Sequence, residues 1–180
     1  MGKMIKRIKD NKVWTKSKEW ACENETLEFL NAFVCLIKPE KILEIGTFEG
    51  DSSIAMGKAL KKNKLGQLYT FDIKDYGQLE NIKKRGLEDI VIPIIGSIPN
   101  NFKGFDMAFI DGGHSFEAVK KDLEVCKGLI NYGGFILGHD VIAKGGVNKA
   151  FKQFCLENKG LFEKMILPSF AGLFILKRYE

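Results

Sequence analysis

A chain of 180 residues with 45% hydrophobic and 28% charged side chains has the size and make-up of one globular domain, too short for two of ordinary size. Its 28 basic and 23 acidic residues leave a net charge of +5, too mild to demand nucleic acid as a partner. No apolar run reaches the length of a membrane span, and the lysine-rich start lacks the apolar stretch of a signal peptide.

Residues 1–17 carry Lys3, Lys6, Arg7, Lys9, Lys12 and Lys16 against Asp10 alone. They read as a solvated basic arm, with contact to an anionic partner as its alternative use. Trp14 and Trp20 are candidates to pack back as a lid over a ligand site. From Ser17 to Leu36, the positions Leu27, Leu30 and Val34 with the Phe29/Phe33 pair predict a helix, stopped by Pro39. Cys22, Cys35, Cys126 and Cys155 are scattered without a C-x-x-C or ligand-like spacing, which predicts reduced thiols in a cytoplasmic protein.

The next stretch is the most informative. Ile42-Leu43-Glu44-Ile45 leads into Gly46-Thr47-Phe48-Glu49-Gly50 and Asp51-Ser52-Ser53, after which Ile54, Ala55, Met56, Ala59 and Leu60 recur at helical spacing. This predicts a buried strand, a tight turn and a helix N-terminus, the place where open α/β sheets bind nucleotides. One glycine is expected to turn the chain at positive φ, the other to leave room for a ligand against bare backbone. A dinucleotide loop wants G-x-G-x-x-G. Here the pattern is E-x-G-x-x-x-G, and an acid beside the loop repels a phosphate while suiting a ligand that carries an ammonium and a sulfonium.

Gln67 to Asp72 predicts a second strand, with Asp72 placed to accept both hydroxyls of a ribose and Ile73 beside it. A polar helix follows through Arg85, with Gly86 as its C-cap, then a strand from Ile90 to Ile95 that runs into Gly96-Ser97-Ile98. A fourth strand, Phe105 to Ile110, ends in Asp111-Gly112-Gly113-His114. A helix from Phe116 to about Ile130 puts Val119, Leu123 and Cys126 on one face, and a strand over Gly134–Leu137 ends in Gly138-His139-Asp140. Both histidines and two aspartates thus fall at the carboxyl ends of neighbouring strands, where such sheets bind ligands. Gly145-Gly146 precede a helix with Val147, Ala150, Phe151, Phe154 and Cys155. Two strands, Phe162–Leu167 and Gly172–Leu176, are joined by a turn too short for a parallel crossover, so they are antiparallel.

At E-x-G-x-x-x-G the chain resembles the class I S-adenosylmethionine-dependent methyltransferases, whose first motif is this turn. The D-G-x-H turn at Asp111–His114, the Asp122-Leu123 pair and the G-G-x-x-x-x-H-D run from Gly133 to Asp140 resemble one small-molecule branch. That branch includes macrolide-sugar O-methyltransferases and proteins labelled cephalosporin hydroxylase, and the likeness covers about residues 40 to 145. It implies an α/β, Rossmann-like doubly wound sheet of seven strands, mostly parallel with a C-terminal antiparallel hairpin, over residues 18–180.

The resemblance also implies S-adenosylmethionine as cofactor, held by Glu44, Gly46, Thr47, Gly50, Ser52, Asp72, Ile73, Ser97, Ile98 and Asp111, with Ser97 and Ile98 along the adenine. In relatives the acid after the fourth strand and a pair after the fifth hold magnesium, which here points to Asp111, His139 and Asp140. An imidazole in that set departs from the pattern, because magnesium prefers oxygen and manganese or zinc accepts nitrogen. A metal-free site is the alternative. Base-methylating families carry an Asn/Asp-Pro-Pro-aromatic turn where this chain has Asp111-Gly112-Gly113-His114, so the expected acceptor is a small hydroxylated molecule, a sugar or a phenol. His114 is then the candidate general base, with a reference pKa of about 6.5. The short chain leaves the acceptor wall to the N-terminal segment or to a second copy in a homodimer. Other readings are a non-catalytic cofactor-binding module, an RNA-directed methyltransferase using the basic arm, and a dinucleotide-dependent reductase. The missing third glycine and the terminal hairpin oppose the last.

Overall fold

The computed structural model describes residues 14–15 and 22–179. Helix α1 (Asn24–Ile37) leads into β1 (Lys41–Ile45), α2 (Asp51–Asn63), β2 (Gln67–Asp72), α3 (Gln78–Lys83), β3 (Val91–Ile95) and β4 (Phe105–Ile110). Then come α4 (Phe116–Leu129), β5 (Ile130–Gly138), α5 (Gly145–Glu157), β6 (Phe162–Leu167) and β7 (Leu173–Arg178). The strands form one sheet in the order β3-β2-β1-β4-β5-β7-β6. Strands β1 to β5 pair in parallel, whereas β7 runs antiparallel to β5 and β6 antiparallel to β7. The expected Rossmann-like doubly wound architecture with its terminal hairpin is what the chain adopts.

Both faces of the sheet are covered, which is why its central strands direct apolar side chains to both sides. Ile42 of β1 packs with Leu30 and Val34 of α1 and Met56 and Leu60 of α2. Leu43, one residue on, faces the opposite side with Val119 and Leu123 of α4 and Phe151 and Phe154 of α5. Phe174 of β7 stacks on Phe151 with ring centroids 4.9 Å apart. It also fills the space above Gly138, where an added Cβ would stand 2.1 Å from its ring.

Three boundaries differ from expectation. Helix α3 ends at Lys83 with Lys84 as its C-cap, short of Arg85 and Gly86, because the chain leaves the helix in a tighter turn in which the Gly86 N–H donates to the Lys83 carbonyl oxygen at 2.8 Å. Strand β5 begins at Ile130, directly after α4, not at Gly134. Gly133 (φ 76°) and Gly134 absorb an irregularity where the register with β4 shifts between Phe105 and Met107, so these glycines lie inside the strand. Helix α1 starts at Asn24 with Glu23 as its N-cap, and the Asn24 N–H donates to the Thr15 carbonyl oxygen at 2.8 Å. The predicted start at Ser17, Trp20 and most of the basic arm lie outside the described residues. Among the described residues no helix is long and apolar enough to cross a membrane.

Candidate functional site

The parallel ladder continues one residue past the strand ends. Gly46 N–H donates to Phe71 O, Gly96 N–H to Asp72 O, Asp111 N–H to Ile45 O, and His139 N–H to Ile110 O, at 2.8 to 3.1 Å. The loops after β1 to β5 are thereby drawn into one row along the carboxyl edge of the sheet, the edge where this architecture binds ligands.

In the loop after β1 the two glycines have different work. Both sit at positive φ, 96° at Gly46 and 91° at Gly50. A Cβ at Gly46 would lie 2.4 Å from the Asp111 carbonyl oxygen, while at Gly50 the nearest atom is 3.8 Å away. At Gly46 the close approach is made by the backbone of the β4 loop, while Gly50 is left with room beside it. Glu44 is fully buried, accepting from the Ser52 hydroxyl at 2.6 Å and from Ser53. Burial pushes its carboxyl up to about 7, against the pull of those hydroxyls. Thr47 shares a 2.6 Å hydrogen bond with Thr70. Three expected cofactor residues, Glu44, Thr47 and Ser52, thus turn their side chains into the protein and brace the loop.

Asp72 stays at the surface side of the row. It accepts the Phe48 N–H at 2.8 Å and the Lys74 N–H at 3.3 Å. Phe48 is held at φ 48°, a conformation that non-glycine residues adopt at a cost. Its ring meets Tyr76 at 4.9 Å, and Ile73, next to Asp72 in the chain, is 91% exposed. Across the row Ser97 is exposed and Ile98 packs on the core.

The ends of β4 and β5 gather acids and imidazoles. His114 Nε2–H donates to Asp140 Oδ2 at 2.8 Å. That bond raises the His114 pKa above its ordinary value, against the opposing effect of burial. Burial would push Asp140 up, but the hydrogen bond from His114 and the charge of His139 hold it below the usual carboxylate range. Asp140 takes φ 65°. Helix α5 docks so tightly on the turn after β4 that a Cβ at Gly146 would lie 2.3 Å from the His114 carbonyl oxygen. Ser115 accepts the Ala118 N–H as the cap of α4, which leaves His114 free of that task.

His139 is 6% exposed and ringed by acceptors. Its Nε2 lies 2.8 Å from Glu23 Oε2, and its Nδ1 lies 3.4 Å from Asp111 Oδ1 and 3.9 Å from Asp140 Oδ1. Burial opposes its charge, yet Asp111, Cys22 and Glu23 together lift its pKa well above the ordinary value. The Cys22 thiol donates to Asp111 Oδ2 at 2.9 Å, and burial beside that carboxylate pushes it up. Cys22 and Glu23 were not expected here. They precede α1 and carry no motif, and the one cue was a pair of adjacent residues of ligand type.

These side chains fall into two overlapping groups whose ligand atoms lie within 4.8 Å of one another, Cys22/Asp111/His139 and Asp111/His114/Asp140. The expected metal triad is thereby divided. His139 belongs to one group and Asp140 to the other, with Asp111 common to both. A narrow crevice between Asp111, Gly113, His114 and His139 has Val147 and Phe174 in its wall. It can place a hydroxyl near an imidazole whose other nitrogen is held by a carboxylate.

Residues 43–141 match a family model described as a methyltransferase domain. An uncharacterized protein of Acanthamoeba polyphaga mimivirus is 31% identical over 113 residues, 54% of this chain and 50% of that protein. An O-methyltransferase of Aspergillus hancockii is 28% identical over 126 residues, 66% of this chain and 45% of that protein. The chain spans about half the length of these curated relatives. Among solved structures, an O-methyltransferase from Bacillus cereus in complex with SAH superimposes with a TM-score of 0.76 at 19% identity, covering 89% of this chain and 84% of that one. At that identity the likeness is one of fold. The family match takes in Glu44, Asp72, Asp111, His114, His139 and Asp140 and leaves out Cys22 and Glu23.

Proposed function

The chain belongs to the methyltransferase domain family, and from that premise we propose that it moves a methyl group from S-adenosylmethionine to a hydroxyl oxygen of a small molecule. The observation that carries this reading is the His114–Asp140 pair, 2.8 Å apart at the strand ends beside Asp111. With Nε2–H donated to Asp140, the neutral ring keeps its lone pair on Nδ1, so the carboxylate selects the tautomer that a base needs.

The acceptor oxygen attacks the methyl carbon, the carbon–sulfur bond breaks, and its electron pair stays on sulfur as a neutral thioether. The acceptor's proton passes to His114 Nδ1, and Asp140 stabilises the imidazolium that forms. Such a displacement needs alignment above all. In this reading the braced loop at Gly46–Gly50, Asp72 with Ile73, and Ser97 with Ile98 hold the nucleoside, while Asp72 exchanges its backbone partners for ribose hydroxyls. Asp111 lies between cofactor and acceptor. The acceptor, of sugar or phenol type, would enter over His114.

Magnesium does not fit the donor set, since His139 brings nitrogen where that ion wants oxygen. A manganese- or zinc-type ion fits, with Asp111 and His139 among its ligands, and would polarise the acceptor oxygen. No step above depends on it.

Calorimetric titration of the purified chain with S-adenosylhomocysteine tests the frame. Binding that weakens about tenfold in Asp72→Ala supports it, as loss of hydrogen bonds to a ribose predicts. Turnover is then sought with hydroxylated acceptors. A folded chain that ignores S-adenosylhomocysteine and binds a nicotinamide dinucleotide would overturn the reading.

A further inference from the structure

Cys22 lies outside the span matched to the family and before α1, yet its sulfur reaches the carboxyl edge of the sheet. It stands 2.9 Å from Asp111 Oδ2 and 3.9 Å from His139 Nδ1, and His139 Nδ1 stands 3.4 Å from Asp111 Oδ1. A sulfur, a nitrogen and one carboxylate therefore face one another, with one ligand atom from each residue lying within 4.8 Å of the others. On a tetrahedral zinc, with bonds of about 2.0 to 2.3 Å, neighbouring ligand atoms stand roughly 3.3 to 3.6 Å apart. The sulfur–nitrogen distance of 3.9 Å and the nitrogen–oxygen distance of 3.4 Å lie close to that spacing, and a turn of the carboxylate decides which of its oxygens would face the ion.

A second observation points the same way. His139 Nε2 lies 2.8 Å from a carboxylate oxygen of Glu23, which is fully buried. Metal-bound histidines donate their second ring N–H to a carboxylate in this manner, which sets the tautomer and aims the other nitrogen at the ion. Here that nitrogen is Nδ1, the one facing Cys22 and Asp111. Cys22 is 7% exposed and His139 6%, so the soft donors are shielded while Asp111 faces the crevice.

We propose that Cys22, Asp111 and His139 form a binding site for a zinc-class divalent ion, with Glu23 behind His139 and a fourth position open to water. The sulfur ligand selects against magnesium and calcium. Binding exchanges the Cys22 S–H proton, and any proton on His139 Nδ1, for the metal, and both protons leave to solvent. The His114–Asp140 bond is untouched, so ion and base reside on separate side chains around Asp111. The site fastens residues 22–23 to the ends of β4 and β5, and it stands whether or not the chain transfers methyl groups.

The test uses the full chain, stripped of metal and titrated with Co²⁺ as a spectroscopic substitute for zinc. The expected result is one ion per chain, a near-ultraviolet thiolate-to-cobalt charge-transfer band, and loss of both on adding one equivalent of zinc. Cys22→Ser removes that band, whereas Cys155→Ser keeps it. Glu23→Gln weakens binding about 10- to 100-fold. Persistence of the band in Cys22→Ser overturns the proposal, as does Co²⁺ binding no tighter in the wild type than in His139→Ala. X-ray absorption at the zinc edge of the wild-type chain needs no variant. One sulfur at about 2.3 Å supports the site, and a shell of oxygen and nitrogen alone refutes it. A parallel titration with S-adenosylhomocysteine keeps the two readings apart, since its failure beside an intact cobalt band counts against methyl transfer only.

Discussion

The two halves of the sheet's carboxyl edge are built from the same residue types used in opposite ways. At the ends of β1 and β2, acids and hydroxyls are spent on internal bonds. Glu44 takes Ser52 and Ser53, Thr47 takes Thr70, and Asp72 takes backbone N–H groups. At the ends of β4 and β5, acids face imidazoles and shift one another's protonation. One corner holds a shape and the other holds charge. The difference teaches that an acid at a strand end is not by itself a ligand-facing group. Its role depends on whether the next element supplies donors to absorb it.

The comparison can be broken at several points. The largest effect is expected from His114→Ala, which should lower kcat by about 10²- to 10⁴-fold while leaving the affinity for S-adenosylhomocysteine unchanged. An equal loss in calorimetric affinity would show that the two corners are not separate. Next is Gly46→Ala, at the point where they touch. With φ at 96° and the Asp111 carbonyl 2.4 Å from the new Cβ, it should cost about 2 to 4 kcal/mol in urea unfolding. Gly50→Ala, which has the positive φ without the clash, should cost only about 1 to 2 kcal/mol.

Asp140→Asn sharpens the charged corner. In the wild type the base form of His114 appears only as pH rises through its raised pKa, so the rate climbs above pH 6.5 before levelling. Without the Asp140 carboxylate that limb should move down toward about 6.5, and the plateau should fall. An unmoved limb in the pH–rate profile would remove His114 from the base's role. The smallest effect concerns Glu44. Its folded pKa of about 7 lies above the ordinary 4.5, so the folded state holds the extra proton between those values and stability declines as pH rises through that window. The slope is at most about 1.4 kcal/mol per pH unit for one proton. Glu44→Gln should flatten it in thermal melts.

Much of this was legible from residue order. Asp72, Asp111 and Asp140 fall at the ends of three apolar runs, and in a parallel sheet those ends must share an edge, so the row and the four-residue cluster around His114 could be read directly. The inward turn of Glu44 had a signal that was passed over. Alternation puts it on the same face as Ile42, the face that α2 covers, with Ser52 and Ser53 waiting at the start of that helix. The sequence starts β5 only at Gly134, because a glycine pair inside a strand needs a register shift to explain it, and that shift exists only against β4. Cys22 and Glu23 were beyond reach. Their partners lie 89 and 116 positions away, and helical periodicity made their segment resemble mid-helix.

The place of β7 has a consequence for timing. It is the last of the seven strands to be synthesised, yet it lies between β5 and β6. Until it emerges, β5 is an open edge and β6 has no partner on the sheet. Phe174 then lands on Phe151 and on Gly138, the residue before His139 and Asp140. The nascent chain can assemble β1 to β4 from contacts already made, but the strand that carries both of those residues is packed on its outer side only at the end. The acid–imidazole corner is therefore backed by the same strand that completes the sheet.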